Sequence, residues 1–205
     1  MRHRMGCRGG FTLIEAMAAI LIMAMAGSVL LLGAQTSLDV SDEAAKQAFA
    51  QGICEQVLDE IMSKRYMAAG EAYDQNTLTK APSETARQMY EDTDDFNGYT
   101  KQPVCGTYEE VLGIGDDSGG ARHPNFQIDS TYFRNWRLRI DIYYVSSSDL
   151  STRLDSPPVP AGGTLTTRSG YRCAEVLVEY QGSDGSYITL ATGRRVYAYI
   201  PRPTN

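Results

Sequence analysis

Glu15 is the side chain whose surroundings most clearly require chemistry, because it stands at the start of an apolar stretch that continues through residues 16–38. A carboxylate in an apolar segment costs a few kcal/mol unless it is paired, solvated or neutralised. The first turn of a helix gives partial relief through its free N–H groups and the macrodipole. A cut between Gly10 and Phe11 would create an α-amine four residues upstream of Glu15. That amine can pair with Glu15 of the same helix or of a second copy, and both pairings stay open.

The apolar run at residues 16–38 contains neither charge nor proline. At 1.5 Å per residue, a helix of this length spans roughly 35 Å, enough to cross a hydrocarbon core of about 30 Å. Basic residues precede the run and acidic residues follow it: Arg2, Arg4 and Arg8 before, Asp39, Asp42 and Glu43 after. The positive-inside bias therefore predicts a single-pass membrane protein with a cytoplasmic amino end and an extracytoplasmic carboxyl part.

The residues around the candidate cut resemble a known processing signal. The stretch in question is Arg8-Gly9-Gly10-Phe11-Thr12-Leu13-Ile14-Glu15. It resembles the class III signal of type IV pilins and type II secretion pseudopilins, which is a short basic leader that ends in Gly before Phe-Thr-Leu-x-Glu. The resemblance covers residues 1–38 closely and the following helix loosely. It implies cleavage after Gly10 by prepilin peptidase, N-methylation of Phe11, and a pairing role for Glu15 in filament assembly.

The same resemblance implies a location and partners. The chain would lie in the inner membrane with a periplasmic domain and would then enter an extracytoplasmic filament. Its partners would be other pilins or pseudopilins, prepilin peptidase and the inner-membrane assembly platform. The size and loop-rich middle of the chain favour a minor pilin or minor pseudopilin over a major subunit. The alternative is a pilus-tip adhesin or a DNA-uptake receptor that uses the carboxyl-terminal sheet and loops, and the choice between pilus and secretion machine stays open.

Three other interpretations of the amino end fit less well. A secretory signal would use residues 11–23 as its apolar region and cut at a small-x-small site such as Ala24-Met25-Ala26, yet Glu15 lies inside that region. A lipoprotein is disfavoured because Cys7 precedes the apolar run. A plain uncleaved anchor leaves Glu15 and the Gly-Phe junction unexplained.

Composition limits the function further. The 205 residues suffice for one membrane helix and one modest domain. Residues 1–10 hold three of the 19 basic residues, which leaves 16 against 25 acidic ones and a formal charge of −9. An acidic surface argues against non-specific binding to DNA or to membrane surfaces, so nucleic acid is not an expected partner.

The cysteines suggest one candidate disulfide. Cys7 falls in the expected leader, and Cys54 lies on an apolar helix face, where a small buried hydrophobe is the expected role. Cys105 and Cys173 would close a loop of 68 positions, which would stabilise the fold by about 4 kcal/mol if the geometry is unstrained. An oxidising compartment would let this bridge persist, although spacing alone does not show that the two residues meet.

Catalytic and metal-binding patterns are weak. The string Asp117-Ser118-Gly119-Gly120 is similar to the nucleophile loop of trypsin-like proteases, but the only histidine after residue 10 is His123, downstream of the serine. The acids of residues 91–95 do not match the EF-hand register, because Pro103 stands at the twelfth position, so a solvated acidic loop is expected there. Zinc and phosphate motifs are also missing. We therefore expect no enzyme activity, no metal and no cofactor.

Periodicity predicts an α+β fold in three regions after residue 38. An amphipathic helix is predicted over residues 39–69, with Phe49, Ile53, Val57 and Ile61 on its apolar face. Residues 70–130 are turn-rich and irregular. Residues 131–205 alternate as a sheet, with strands at residues 136–144, 174–180 and 187–200. Whether Gly193 interrupts the last strand stays open. The expected architecture is pilin-like: leader at 1–10, membrane helix at 11–38, and a 39–205 periplasmic domain with a three-stranded antiparallel meander packed on the long helix.

Overall fold

The structure is a computed structural model that describes residues 12–67, 78, 80, 82–113, 128–129, 131–154 and 169–200. The expected cleavage and methylation positions, Gly10 and Phe11, lie outside these residues. The string at residues 117–120 and His123 lie outside them as well. The chain divides into two compact units, Met1–Lys46 and Gln47–Asn205.

One long helix, α1, spans Leu13–Ser63. Thr12 directly precedes it, and the Thr12 carbonyl oxygen accepts from the N–H groups of Glu15 (3.0 Å) and Ala16 (3.2 Å). It ends six residues before the predicted end at residue 69. The reason is a non-local pairing: Arg65 forms a parallel bridge to Asp92, and its carbonyl oxygen accepts from the N–H of Thr93 at 2.9 Å. That bridge takes the backbone out of the helical pattern.

An antiparallel sheet follows, in the order β1-β2-β3-β4. Its strands are β1 (Thr100–Lys101), β2 (Trp136–Tyr144), β3 (Tyr171–Gln181) and β4 (Tyr187–Ala198). The α+β prediction is therefore confirmed, with the three predicted strands in sequential meander order. Strand β1 was not predicted, because a strand of two residues is too short to show an alternation of apolar and polar side chains. It pairs with Arg139 and Leu138 of β2.

Gly193, where the sequence leaves an interruption open, does not interrupt β4. It pairs with Val176 inside a continuous strand, and the irregularity of this pair of strands lies instead at Val178/Glu179. The glycine serves packing: a Cβ at this position would lie 2.8 Å from Leu58 Cδ1 and 3.1 Å from Cys54 Cβ. Helix α1 therefore approaches β4 more closely than a larger side chain would permit.

The core lies between α1 and the inner face of the sheet. The helix contributes Ala50, Ile53, Cys54, Val57, Leu58 and Ile61, and the central strands contribute Trp136, Leu138, Ile140, Ile142, Tyr144, Ala174, Val176 and Val178. The predicted apolar stripe is correct except at Phe49, which is 44% exposed and packs edge-to-face on Tyr132 at 5.9 Å. Packing of the helix on the sheet gives the domain a single main core.

Candidate functional site

The amino-terminal part of α1 is apolar on all sides. Thirteen large apolar side chains between residues 13 and 38 are each at least 63% exposed: Leu13, Ile14, Met17, Ile20, Leu21, Ile22, Met23, Met25, Val29, Leu30, Leu31, Leu32 and Leu38. A helix that is hydrophobic all round is typical of a buried environment, in a protein core or in a membrane. By length and composition, α1 contains a segment able to span a membrane.

Two hydroxyl side chains within this segment bond to the helix itself. Ser28 Oγ donates to the carbonyl oxygen of Met25 at 2.8 Å, and Thr36 Oγ1 donates to that of Leu32 at 3.0 Å. Back-bonding of this kind satisfies a hydroxyl group without water. Residues 12–38 contain a single ionisable side chain, and an ionisable group is costly to place in lipid.

That ionisable side chain is Glu15, in the first turn of α1. Its side chain is exposed, and no described residue forms an ion pair with it. The first turn places it beside backbone N–H groups that have no acceptor within the helix. The expected pairing with an amine at Phe11 lies outside the described residues, so it stays a prediction. The geometry nevertheless leaves this carboxylate accessible to another chain.

Residues 92–97 of the acidic segment are buried, whereas Glu91 is exposed, which corrects the expectation of a solvated loop. Asp92, Asp94 and Asp95 are each at most 5% exposed. Asp95 Oδ2 accepts from the N–H groups of Glu91 (2.9 Å) and Asp92 (3.1 Å), and Asp92 Oδ1 accepts from the N–H of Asp94 (2.8 Å). Phe96 is fully buried in the main core. The acids therefore fold the segment locally, and no cluster of three metal-ligating side chains occurs among the described residues.

Arg172 fastens this segment to the sheet. Its guanidinium donates to both carboxylate oxygens of Asp94 and, through Nη2, to the Tyr144 hydroxyl at 2.9 Å. It also lies 4.0 Å from the centroid of the Tyr66 ring. Burial acts to lower the pKa of Arg172, but the Asp94 carboxylate raises it above its usual value, so the arginine stays charged. This buried ion pair favours a single conformation of the loop, because separating the partners would leave a buried charge unpaired, at a large cost in free energy.

A second buried arginine fastens the loop before β2 to helix α1. Arg87, 1% exposed, forms a bidentate pair with Glu60: Nε lies 3.1 Å from Oε1 and Nη2 lies 2.8 Å from Oε2. Thr107 Oγ1 donates to the same Glu60 carboxylate at 3.0 Å, and Arg87 Nη1 donates to the carbonyl oxygen of Cys105 at 3.3 Å. Planar, two-point pairing of this kind gives the helix a fixed contact with the loops.

The candidate disulfide between Cys105 and Cys173 is not formed in the structure, where both residues are buried free thiols. Cys105 lies beside Arg87, which donates to its carbonyl oxygen, whereas Cys173 packs with Tyr143 and Val145 in a separate cluster. The two side chains thus belong to different parts of the domain. Cys54 is also free and buried, as predicted, and burial raises the pKa of its thiol to about 11.

Several arginines of the carboxyl-terminal part, where a DNA-uptake receptor would use the sheet and loops, bind acids of the same chain. Arg137 Nε lies 2.7 Å from Glu179 Oε2, and the Arg137 guanidinium stacks on Tyr187 at 3.3 Å. Arg139 approaches the same carboxylate at 3.7 Å. Arg153 pairs with Asp141 at 2.7 Å. These pairs reduce the positive charge that the sheet offers to a polyanion.

Comparisons with known proteins give no match: no family model, no curated protein and no solved structure matches the chain.

Proposed function

We propose that the protein is a structural subunit, a minor pilin or pseudopilin, of a type IV pilus or type II secretion filament. In this proposal prepilin peptidase cuts after Gly10 and Phe11 is N-methylated. The apolar part of α1 then moves from the inner membrane into the filament core. The partners are other pilins or pseudopilins, the peptidase and the assembly platform. The globular domain remains periplasmic, with the amino end of the precursor in the cytoplasm.

The observation that carries this proposal is the combination of Glu15 with the exposed apolar surface of α1. The segment buries none of its large apolar side chains in its own chain, so lipid or other helices must cover them. In lipid, Glu15 is costly, whereas in a bundle of such helices it can pair with the α-amine of a neighbour. A carboxylate that is unfavourable in the membrane but paired in the filament favours transfer from one to the other.

The α+β layout supports the same proposal. The helix that carries Glu15 also supplies six buried residues to the core of the globular domain, from Ala50 to Ile61. The two buried arginine pairs, Glu60–Arg87 and Asp94–Arg172, add fixed polar contacts to that core. An assembly subunit requires this coupling, because its membrane helix must carry the domain into the filament. The arrangement requires no catalytic group, and we propose a non-enzymatic role.

The alternative, an adhesin or DNA-uptake receptor at a pilus tip, uses the same anchored architecture. DNA uptake is less well supported, because the sheet arginines bind their own acids. An adhesive role requires a ligand-binding site on the globular domain, in addition to the residues that serve assembly.

Processing at Gly10 tests the proposal. In cells with a prepilin peptidase, intact-protein mass spectrometry should find a chain that begins at N-methylated Phe11. Gly10→Leu should leave the precursor uncut, because a bulky side chain replaces the small residue before the cleaved bond. Gly9→Ala is the matched control and should be processed. A mature chain that begins at Gly27 would identify an ordinary secretory signal and would contradict the proposal.

A further inference from the structure

A polar cavity of about 350 Å³ lies beside β1, at the edge of the sheet. Its walls include Lys80, Thr85, Tyr90, Tyr99, Lys101 and Glu109. The volume falls in the range of small-ligand sites, which begins at about 300 Å³. The cavity thus combines aromatic surface with several hydrogen-bonding side chains in a space suited to a small molecule.

The charged side chains that line the cavity differ in whether they have a partner of opposite charge. Lys101 forms an ion pair with Glu109. Asp95, which also lines the cavity, directs one carboxylate oxygen at two backbone N–H groups. Lys80 has no carboxylate within ion-pair distance among the described residues. Its ammonium lies 3.4 Å from the Tyr90 hydroxyl and 5.2 Å from the centroid of the Tyr90 ring. One cation over an aromatic wall therefore remains open to an anionic group of a ligand.

Glu109 has a backbone conformation that a side-chain-bearing residue rarely adopts, with φ at 66°. Left-handed geometry is unfavourable for a non-glycine residue, whereas glycine adopts it freely. The Glu109–Lys101 pair does not explain the choice of residue, because both side chains are more than a quarter exposed and such pairs contribute little. Strain at a residue that lines a cavity is a mark of a functional position.

We propose that this cavity binds a carboxylated sugar, such as a uronic acid unit of an acidic glycan. The sugar carboxylate would pair with Lys80, the half-buried Tyr99 ring would pack on the C–H face of the sugar, and Glu109 and Thr85 would bond to its hydroxyl groups. Thr85 is available for this, because among the described residues its hydroxyl contacts only Met89 Sδ, at 3.8 Å. The proposal stands independently of filament assembly, since it requires only the globular domain.

Binding can be measured by isothermal titration calorimetry or ligand-observed NMR on the full chain in detergent micelles. The probes are glucuronate, glucose and acetate at equal ionic strength. We expect glucuronate to bind, glucose to bind about tenfold more weakly, and acetate to give no saturable signal. Equal binding of glucose would show that the cation is not used. Equal binding of acetate would reduce the site to a simple anion contact. Either result, or no binding of glucuronate, overturns the proposal.

Two variants test the residues. Lys80→Gln should weaken glucuronate binding about tenfold and leave glucose binding unchanged. The control Lys46→Gln removes a lysine that does not line the cavity and should bind as the parent does. Glu109→Gly should weaken binding while the melting temperature stays the same or rises, since strain is relieved. A Lys80→Gln variant with parental affinity, or a Glu109→Gly variant that is less stable but binds normally, would overturn the assignment.

Discussion

Glu15→Ala should leave membrane insertion intact and reduce filament incorporation more than a hundredfold. Removal of the acid lengthens the apolar run, so the helix inserts at least as well. In the filament, the α-amine of a neighbouring chain would then enter a helix bundle without its carboxylate. The loss of one partner from a buried ion pair costs about 3–5 kcal/mol, and each 1.4 kcal/mol is a factor of ten. Cross-linking and co-purification with other subunits measure the loss.

Two matched variants separate charge from packing at this position. Glu15→Gln keeps hydrogen bonding but loses the charge, so it should fall between the parent and Glu15→Ala. Met17→Ala, on an exposed apolar residue two positions away, should affect incorporation only mildly. Membrane extraction with carbonate checks that every variant is inserted. If Glu15→Ala joins its partners as well as the parent does, Glu15 is not an assembly residue and the proposed pairing is wrong.

Val57→Asp should unfold the globular domain. Val57 is 3% exposed in the core between α1 and the sheet, so the new carboxylate would be buried without a partner. An unpaired buried charge is one of the few single changes that cost about 4 kcal/mol or more, which is comparable with the whole stability of many domains. Circular dichroism and amide exchange on a fragment of residues 39–205 measure the effect, and the parent fragment should be folded and soluble.

Gln56→Asp is the control for this change, because it introduces the same charge at an exposed position one residue earlier. It should leave stability within about 0.5 kcal/mol of the parent. Cleavage at Gly10 in the full chain should be unaffected by either variant, since processing depends on the amino-terminal signal. A disordered parent fragment, or a Val57→Asp fragment as stable as the parent, would mean that helix and sheet do not share a core.

The elements that depend on local periodicity could be predicted from the sequence. The alternation of residues 136–144 predicts β2 with its observed bounds, and the apolar stripe of Ile53, Val57 and Ile61 predicts the buried face of α1. Both patterns reflect how side chains repeat along a strand or a helix, so neighbouring residues contain the information. Glu15 could be singled out for the same reason, because its anomaly lies in its immediate surroundings.

The features that the sequence did not reveal depend on distant partners. Asp94 was expected in a solvated loop because an acidic run is usually hydrated, but its partner Arg172 lies 78 residues further along the chain. A glycine such as Gly193 can mark a break in a strand, but here the residue is small because α1 packs against it. The cavity beside β1 and the left-handed Glu109 gave no signal in composition or spacing. Each of these features depends on tertiary contacts, which cannot be recognised from the local pattern of a single sequence.

The most direct test of the assembly proposal is to ask what surrounds the exposed apolar face of α1 in the cell. A photo-reactive phenylalanine analogue at Leu31, which is 63% exposed, can be cross-linked in cells that build the filament, and its adducts mapped by mass spectrometry. The proposal predicts adducts to the amino-terminal apolar helices of other pilin-like chains, and their loss in the uncut Gly10→Leu precursor. Adducts to lipid alone, or the same protein adducts in the uncut precursor, would contradict it.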